Sequence, residues 1–417
     1  MSDRTSRRSV DSSRDSRADG MIDESLELTV SRIPSTGKFH QPRALTRAQR
    51  DRFRRGATES RAAKTAALNG LGPAPLHEVN DPLLDPLSLM PQLGLTQHRA
   101  LSLFSGGGGL DLGFDRAGFS HAASFELLGD AAATLAQARP DWDVRGGSDG
   151  DVSTVNWRKW RDEVDIVHGG PPCQPFSTAG RQMGAEDDRN MWPAFVDCVL
   201  STRPVAFVAE NVPALASAKF KDFVKTEIVE PLSGRYTVQM FKLHAEDFGI
   251  PQSRRRVFFV GFARKRDAAR YQPPTKTHSW VQDAHEDDQP ELQRCLGLRE
   301  ALGLPELGYD ALSPTIRSTL TGPRHTTSIL NSTAAQRAFE RLEIWPNGVA
   351  PDRAAAKAFV AKNGHFRLSV PDVALIQGFP EDWPFVGATY MKLGQIGNAV
   401  PPPLGYAVAS SVLAALA

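Results

Sequence analysis

The chain has 417 residues, of which 41% are hydrophobic and 23% charged, and these ordinary globular values exclude wholesale disorder. Its formal net charge of +1 comes from 49 basic and 48 acidic residues, so any nucleic-acid binding must come from a local patch. Three cysteines without a CxxC pair exclude a disulfide scaffold, and no Cys/His cluster has zinc spacing. The longest apolar-rich run, residues 403–417, is shorter than the ~20 residues of a membrane span, and the N-terminus has no signal-like apolar core. A soluble, cytoplasmic protein is expected.

The first 95 residues differ in composition from the rest of the chain. Residues 1–60 predict a basic, disordered arm, in which Thr46 to Arg55 could form a short helix. Between Lys38 and Lys64, nine basic residues face two acidic ones, which fits either a solvated tail or an arm along DNA phosphates. Residues 61–95 form a linker, rich in Pro and Leu towards its end, that could pack on the core.

From residue 96 to 262, short apolar runs alternate with helical segments. The expected strands are ALSLF, HAASFE, VDIVHGG, VAFVAEN, TVQMFKL and RVFFVGF. Continuous apolar runs are typical of buried parallel strands, so this region predicts a mostly parallel, doubly wound α/β sheet.

The pattern changes twice after residue 262. Residues 263–366 are rich in Pro, Gly, Thr and His, and they predict a second, smaller and irregular domain. Residues 367–417 return to the first domain, with helices expected at Leu368–Gly378 and Pro402–Ala417.

A glycine-rich turn, LFSGGGGLDLGF, follows the first strand, and such a turn before a helix exposes backbone N–H groups beside a cofactor. The dinucleotide fingerprint is imperfect, because Asp111 stands where the third glycine would be. Glu126 ends the next strand, 20 residues after Gly106, where a carboxylate can bind ribose hydroxyls. An adenosine-type cofactor is indicated, but NAD, FAD and S-adenosylmethionine stay open, as does a turn without a ligand.

A cysteine block, GGPPCQPFS, follows the strand VDIVH. A thiol at the carboxyl end of a parallel strand lies where such sheets bind ligands, and the flanking prolines stiffen the turn. Together with the glycine loop, this block resembles the DNA cytosine-5 methyltransferases. The resemblance extends from about Ala100 to Ala417, with the family's blocks in their usual order.

The resemblance implies S-adenosyl-L-methionine as the cofactor, double-stranded DNA as the substrate and no metal. The cofactor-binding residues that it implies are Phe104, Ser105, Gly106, Gly108, Glu126, Asp151, Val152, Pro171, Trp192, Asn398 and Val400. Trp192 departs from the family pattern, which more often has Leu there.

The resemblance also implies the catalytic residues. Cys173 matches the nucleophile, and Glu210 in AENV matches the acid that holds the target base. The segment QSRRR matches a Q-x-R-x-R block, and it gives Arg254 and Arg256 as contacts for the cytosine O2 and the adjacent phosphate.

C5 of cytosine is a poor nucleophile, and these residues suit the chemistry that activates it. A thiolate that adds to C6 of cytosine makes C5 enamine-like, and an acid near N3 stabilises the developing charge. The thiol needs a pKa below the usual ~8.5. The base must also leave the stacked duplex, and the polar stretch Ser177–Arg189 is expected to be a mobile loop that closes over it.

The region 263–366 is expected to read the DNA sequence. Its segment SPTIRSTLTGPRHTTS contains Arg317 and Arg324, which together with Gln252 are the candidate DNA-recognition residues. A Thr-rich surface loop is the alternative interpretation of that segment.

Other functions fit the sequence less well. A tRNA-directed relative would carry a Cys-Phe-Thr block, whereas Cys295 is followed by Leu296. A catalytically silent, DNA-binding relative would lack the Cys or the Glu. An N6-adenine or N4-cytosine enzyme would want a different block, and an oxidoreductase rests on the glycine loop alone. The expectation is a cytoplasmic, monomeric enzyme that protects host DNA from a partner restriction endonuclease, a functional rather than physical partner.

Overall fold

A central sheet of seven strands organises the described part of the protein. The computed structural model describes residues 79–172, 190–280, 292–320, 326–330, 332–357 and 365–417, with single positions between 46 and 71. The sheet strands are β1 Arg99–Leu103, β2 Ser120–Glu126, β3 Val144–Gly146, β4 Ile166–Gly169, β5 Ala206–Asn211, β6 Thr237–His244 and β8 Arg255–Phe262, while β7 Gln252–Ser253 lies outside it.

The strand order is β3-β2-β1-β4-β5-β8-β6. Strand β8 is antiparallel to both of its neighbours, and the remaining pairs are parallel. The predicted mostly parallel α/β sheet is therefore confirmed, including its six expected strands. The short β3 has no apolar run and was not predicted.

Helices lie between the strands of this sheet and after its last strand along the chain. They are α1 Gly109–Arg116, α2 Gly129–Ala138, α3 Trp192–Thr202, α4 Lys221–Phe223, α5 Glu230–Ser233, α6 Lys265–Arg270, α7 Leu298–Ala301, α8 Thr333–Arg341, α9 Arg353–Lys357, α10 Val370–Gln377, α11 Thr389–Asn398 and α12 Pro402–Leu416. Helix α10 begins with a capping box between Ser369 and Asp372 and ends at Gly378, whose φ is 92°. Helices α1 and α12 approach closely, because a Cβ at Gly113 would lie 2.4 Å from the backbone N of Tyr406.

The irregular region shares one hydrophobic core with the C-terminal helices. Phe339 and Ile344 pack in the same buried cluster as Leu375 and Phe379. Strand β9 (Ile344–Ala350) also pairs with β10 (Phe366–Ser369), and residues 38–417 form one compact unit. The domain boundary predicted at residues 366/367 thus crosses a shared core, and the domain division stays a prediction.

The extension before the sheet packs on both parts. Asn80 Nδ2 donates to Leu302 O and to Asp372 Oδ1, each at 3.0 Å. Leu93 N–H donates to Arg116 O at 2.9 Å, and Met90 is buried in the same core cluster. The predicted packing of this segment is confirmed for its described residues, from 79 onwards.

The basic segment near the N-terminus is helical where it is described. Positions 47, 48, 50–52, 54, 55, 58, 62 and 66 are helical, and Arg50 N–H donates to Thr46 O at 3.0 Å. The arginines at the described positions are exposed. The short helix suggested for Thr46–Arg55 is therefore present at these positions.

One stretch among the described residues, Thr389–Leu416, is long and apolar enough to cross a membrane by composition alone. Most of it is buried inside the protein, as in the core helices of soluble proteins. It consists of α11 and α12, with a break at Ala399–Pro401.

Candidate active site

A cavity opens at the carboxyl ends of the central strands. Strand β1 lies between β2 and β4. The chain continues from β1 to β2 and β3 on one side and then crosses to β4 on the other side, and ligands bind at such switch points of the strand order. The predicted site residues that line this cavity are Phe104, Ser105, Gly106, Glu126, Asp151, Val152, Pro171, Glu210, Asn398 and Val400. The structure thus joins the cofactor blocks and the predicted catalytic acid in one space.

The glycine loop turns sharply between β1 and α1. Phe104 has a φ of 56°, a left-handed conformation that is strained for an aromatic residue and often marks functional sites. Gly106 and Gly108 have φ values of 57° and 86°. A Cβ at Gly108 would lie 2.6 Å from Leu135 Cδ2, so a side chain at this position would not fit. Gly108 was predicted to bind the cofactor, but it is not among the residues that line the cavity. Trp383 Nε1 donates to Gly107 O at 2.9 Å and supports the loop from outside.

Glu126 closes one side of the cavity at the end of β2. Its Oε2 accepts the N–H of Gly106 and its Oε1 accepts that of Leu128, both at 2.7 Å. Burial raises the pKa of this carboxyl. The two N–H groups lower it, whereas the charge of nearby Asp111 raises it further. Glu126 therefore links the glycine loop to the start of α2, where the sequence predicted a ribose-binding acid.

Two further parts of the chain line the predicted cofactor side of the cavity. Asp151 Oδ1 accepts the N–H of Ser153 at 3.0 Å and its hydroxyl at 2.6 Å, which fixes the turn that presents Val152. Asn398 and Val400 reach the cavity from the break between α11 and α12.

Glu210 and Arg256 form an ion pair at the other end of the cavity. Because β5 and β8 are antiparallel neighbours, Glu210 near the end of β5 lies beside Arg256 near the start of β8. Arg256 Nε donates to Glu210 Oε1 at 2.6 Å, and both side chains are about 10% exposed, at 11% and 10%. Burial raises the pKa of Glu210, against the lowering effect of Arg256 and Arg254. The contact with Arg256 thus holds this carboxyl in a defined place.

The first residues of the cysteine block, which follow β4, line this cavity. Pro171 and Pro172 line it, and Asn211 Nδ2 donates to Pro171 O at 3.0 Å, which ties the block to the end of β5. Cys173 itself lies outside the described residues, and so does the predicted loop Ser177–Arg189.

The other two thiols are unsuited to nucleophilic work. Cys198 and Cys295 are both buried, and burial raises the pKa of Cys295 to about 12 and that of Cys198 well above its usual value.

Arg254 lies in a different environment from Arg256. Its side chain is fully buried, and its Nη2 donates to Gly397 O and Ala399 O, both at 2.9 Å. Its Nη1 donates to Ile316 O at 3.1 Å. Through these contacts Arg254 holds the chain where α11 ends and α12 has not yet begun, and its predicted substrate contact stays a prediction.

Gln252 and Trp192 lie elsewhere than predicted. Gln252 is fully buried, and its amide bonds to Ile376 O, Gln377 Oε1 and the N–H of Ile316, so it cannot reach DNA in this conformation. Trp192 is also fully buried, packs edge-on against Phe259, and does not line the cavity. Met191, one residue earlier, lines the cavity in its place.

Arg317 belongs to a segment that docks on α11. Its Nε donates to Ser318 O at 3.2 Å, and burial lowers its pKa. Ser318 Oγ donates to Gly394 O at 3.3 Å, and Leu320 reaches the cavity wall. A base contact by Arg317 stays a prediction, and Arg324 lies outside the described residues.

Sequence reasoning missed Asp111, Gln395 and Leu320 as cavity residues. Asp111 could have been found from the sequence, because a carboxylate stands there in place of the third glycine of the dinucleotide fingerprint. Gln395 and Leu320 carried none, because only the packing of α11 and the docked segment brings them to the cavity.

The mostly parallel seven-stranded sheet with its helices indicates an α/β methyltransferase fold, and the buried carboxyl of Glu210 lines its cavity. A family model described as C-5 cytosine-specific DNA methylase matches residues 98–414, and the chain belongs to this family. It is a DNA cytosine-5 methyltransferase.

Named relatives agree with this membership. The type II methyltransferase M.NgoMIV of Neisseria gonorrhoeae is 33% identical over 77% of this chain and 98% of its own length. The type II methyltransferase M.NaeI of Lentzea aerocolonigenes is 32% identical over 76% of this chain and 75% of its own length. Among solved structures, the methyltransferase EhMeth of Entamoeba histolytica has a TM-score of 0.48 at 13% identity, over 77% of this chain and 99% of that one.

Proposed function

We propose that the enzyme transfers a methyl group from S-adenosylmethionine to C5 of a flipped cytosine in double-stranded DNA, through a covalent bond from Cys173. The observation that carries this proposal is the single cavity described above. It joins the glycine loop and Glu126 to Glu210 and to Pro172, the residue before Cys173.

The charges of the cavity support a cationic cofactor. Its described lining residues include four carboxylates, Asp111, Glu126, Asp151 and Glu210, and no Lys, Arg or His. A cofactor with a pyrophosphate group, such as NAD or FAD, would meet these carboxylates there without a basic side chain among the described lining residues. S-Adenosylmethionine, when bound, supplies its methyl group from a positively charged sulfonium.

The residues of the chain then have distinct roles. The Cys173 thiolate adds to C6, and Glu210 gives a proton to N3 as the ring gains charge. Arg256 keeps Glu210 in place through its 2.6 Å contact. After methylation the C5 proton leaves, the thiol is eliminated, and the ring regains its aromaticity.

The names of the relatives support a proposal for the biological setting. Two relatives are named type II methyltransferases, so we propose that this enzyme also protects host DNA from a partner restriction endonuclease. It would act as a cytoplasmic monomer on specific sites.

Bisulfite sequencing of DNA from cells that express the protein tests this function. We expect complete protection of one cytosine within a short recurring sequence, and none in cells expressing Cys173→Ser. Protection that is absent, or that persists with Cys173→Ser, would contradict the proposal.

A further inference from the structure

Asp111 is a buried carboxyl in the cavity without an assigned role. It lies in the first turn of α1, is 2% exposed and lines the cavity. Its Oδ1 accepts the hydroxyl of Ser124 at 2.9 Å. Its Oδ2 is buried and has no hydrogen-bond partner among the residues that the structure describes.

The surroundings of Asp111 offer hydroxyls and no positive charge. Ser102 and Ser124 are direct partners on neighbouring strands β1 and β2, and the hydroxyls of Ser102 and Ser105 share a hydrogen bond of 2.7 Å. Burial raises the pKa of Asp111 to about 6, although these serines lower it. The group is therefore mostly ionised at neutral pH, in a place where an uncompensated charge is costly.

The other carboxylates of the cavity have compensating partners. Glu126 accepts two backbone N–H groups, Glu210 pairs with Arg256, and Asp151 accepts two bonds from Ser153. Among the described lining residues, Asp111 is thus the carboxylate that has a buried oxygen without a hydrogen-bond partner.

We propose that Asp111 is the counter-charge that makes this cavity prefer the methylated, cationic cofactor to its demethylated product. This inference rests on the proposed use of S-adenosylmethionine. Loss of the methyl group converts the sulfonium to a neutral thioether, so the product, S-adenosylhomocysteine, carries one positive charge fewer. A buried negative charge then favours binding of fresh cofactor and release of product.

The variant Asp111→Asn removes this charge with little change in shape. Calorimetric titration should give the dissociation constants of S-adenosylmethionine and S-adenosylhomocysteine for both proteins. We expect the preference for the cationic ligand to fall about tenfold, the size of one partly screened charge–charge interaction. Sinefungin, whose amine carries the positive charge near the position of the sulfonium, should behave like the cofactor.

Asp149→Asn is the matched control. Asp149 is exposed, precedes the cavity residue Gly150 and does not line the cavity, so the same change in net charge should leave the preference intact. Thermal melting checks folding, and Asp111→Ser provides the same comparison if the Asn variant does not fold.

One result would overturn this inference, and a different one would contradict the proposed cofactor on which it rests. If Asp111→Asn left the ratio of the two dissociation constants unchanged, even with both ligands bound more weakly, Asp111 would not act as a counter-charge. Failure of the wild-type enzyme to bind S-adenosylmethionine would instead contradict the proposed cofactor.

Discussion

The buried carboxyl of Asp111 lowers the stability of the folded protein when it ionises. Its pKa is raised from 3.8 to about 6, so the folded state binds this proton more tightly than the unfolded state. Stability therefore falls as the pH rises from about 4 through about 6, because ionisation in the buried site is unfavourable.

Asp111→Asn should remove this pH dependence. Relative to the wild type, the variant should gain about 2–3 kcal/mol of unfolding free energy between about pH 4 and pH 7. Urea unfolding at several pH values measures the gap, and the groups common to both proteins cancel. A gap that does not change with pH would show that the carboxyl pays no ionisation penalty.

Residue roles were predictable from sequence only where the motif itself fixes the direction of the side chain. Glu126 and Glu210 end or nearly end strands, so the strand direction brings them to the cavity. Trp192 begins helix α3, and the motif could not tell that its large ring turns to the core while Met191 faces the cavity. Gln252 is buried by α10, which lies 124 residues further along the chain.

At the scale of elements, a buried guanidinium ties three parts of the chain together. Arg254 follows β7, and it bonds to carbonyls at Ile316, Gly397 and Ala399. These groups belong to the docked segment and to the break that presents Asn398 and Val400 to the cavity. The apolar runs predicted the strands well, but they could not reveal this long-range connection.

Arg254→Met should lower the free energy of unfolding by about 3 kcal/mol, because several buried carbonyls lose their donor. Urea unfolding measures this loss. Arg255→Met is the matched control, since Arg255 is exposed in the same strand region and should change stability little. Normal stability with lost DNA binding would instead support the substrate contact implied by the resemblance.

At the scale of the whole molecule, the predicted recognition region shares contacts and a hydrophobic core with the C-terminal helices. The segment Ile316–Leu320 lies within the predicted recognition region, yet it docks on α11, and Leu320 lines the cavity. The irregular composition of residues 263–366 indicated a separate domain, but composition does not report the shared core.

Exchange of residues 263–366 with those of another family member tests this division. A chimera that keeps native residues 313–320 should methylate the donor's site at near-normal rates. A second chimera that also replaces 313–320 should bind cofactor at least tenfold more weakly, because a cavity wall and its anchor are lost. Bisulfite sequencing gives the site and calorimetry the affinity, and a first chimera with the original specificity would contradict the assignment.

The covalent role of Cys173 is the central claim, and one trapping experiment tests it most directly. A duplex with 5-fluorocytosine at the target position holds the intermediate, because fluorine cannot leave C5 as a cation. With S-adenosylmethionine, the wild-type enzyme should give a protein–DNA adduct that survives denaturant. Cys173→Ser should give none, because a serine hydroxyl is hardly ionised near neutral pH. Glu210→Gln should bind DNA but form the adduct more slowly by about 10²-fold or more. Peptide mapping should place the DNA on Cys173, and an adduct on Cys198 or Cys295, or one formed by Cys173→Ser, would contradict the mechanism.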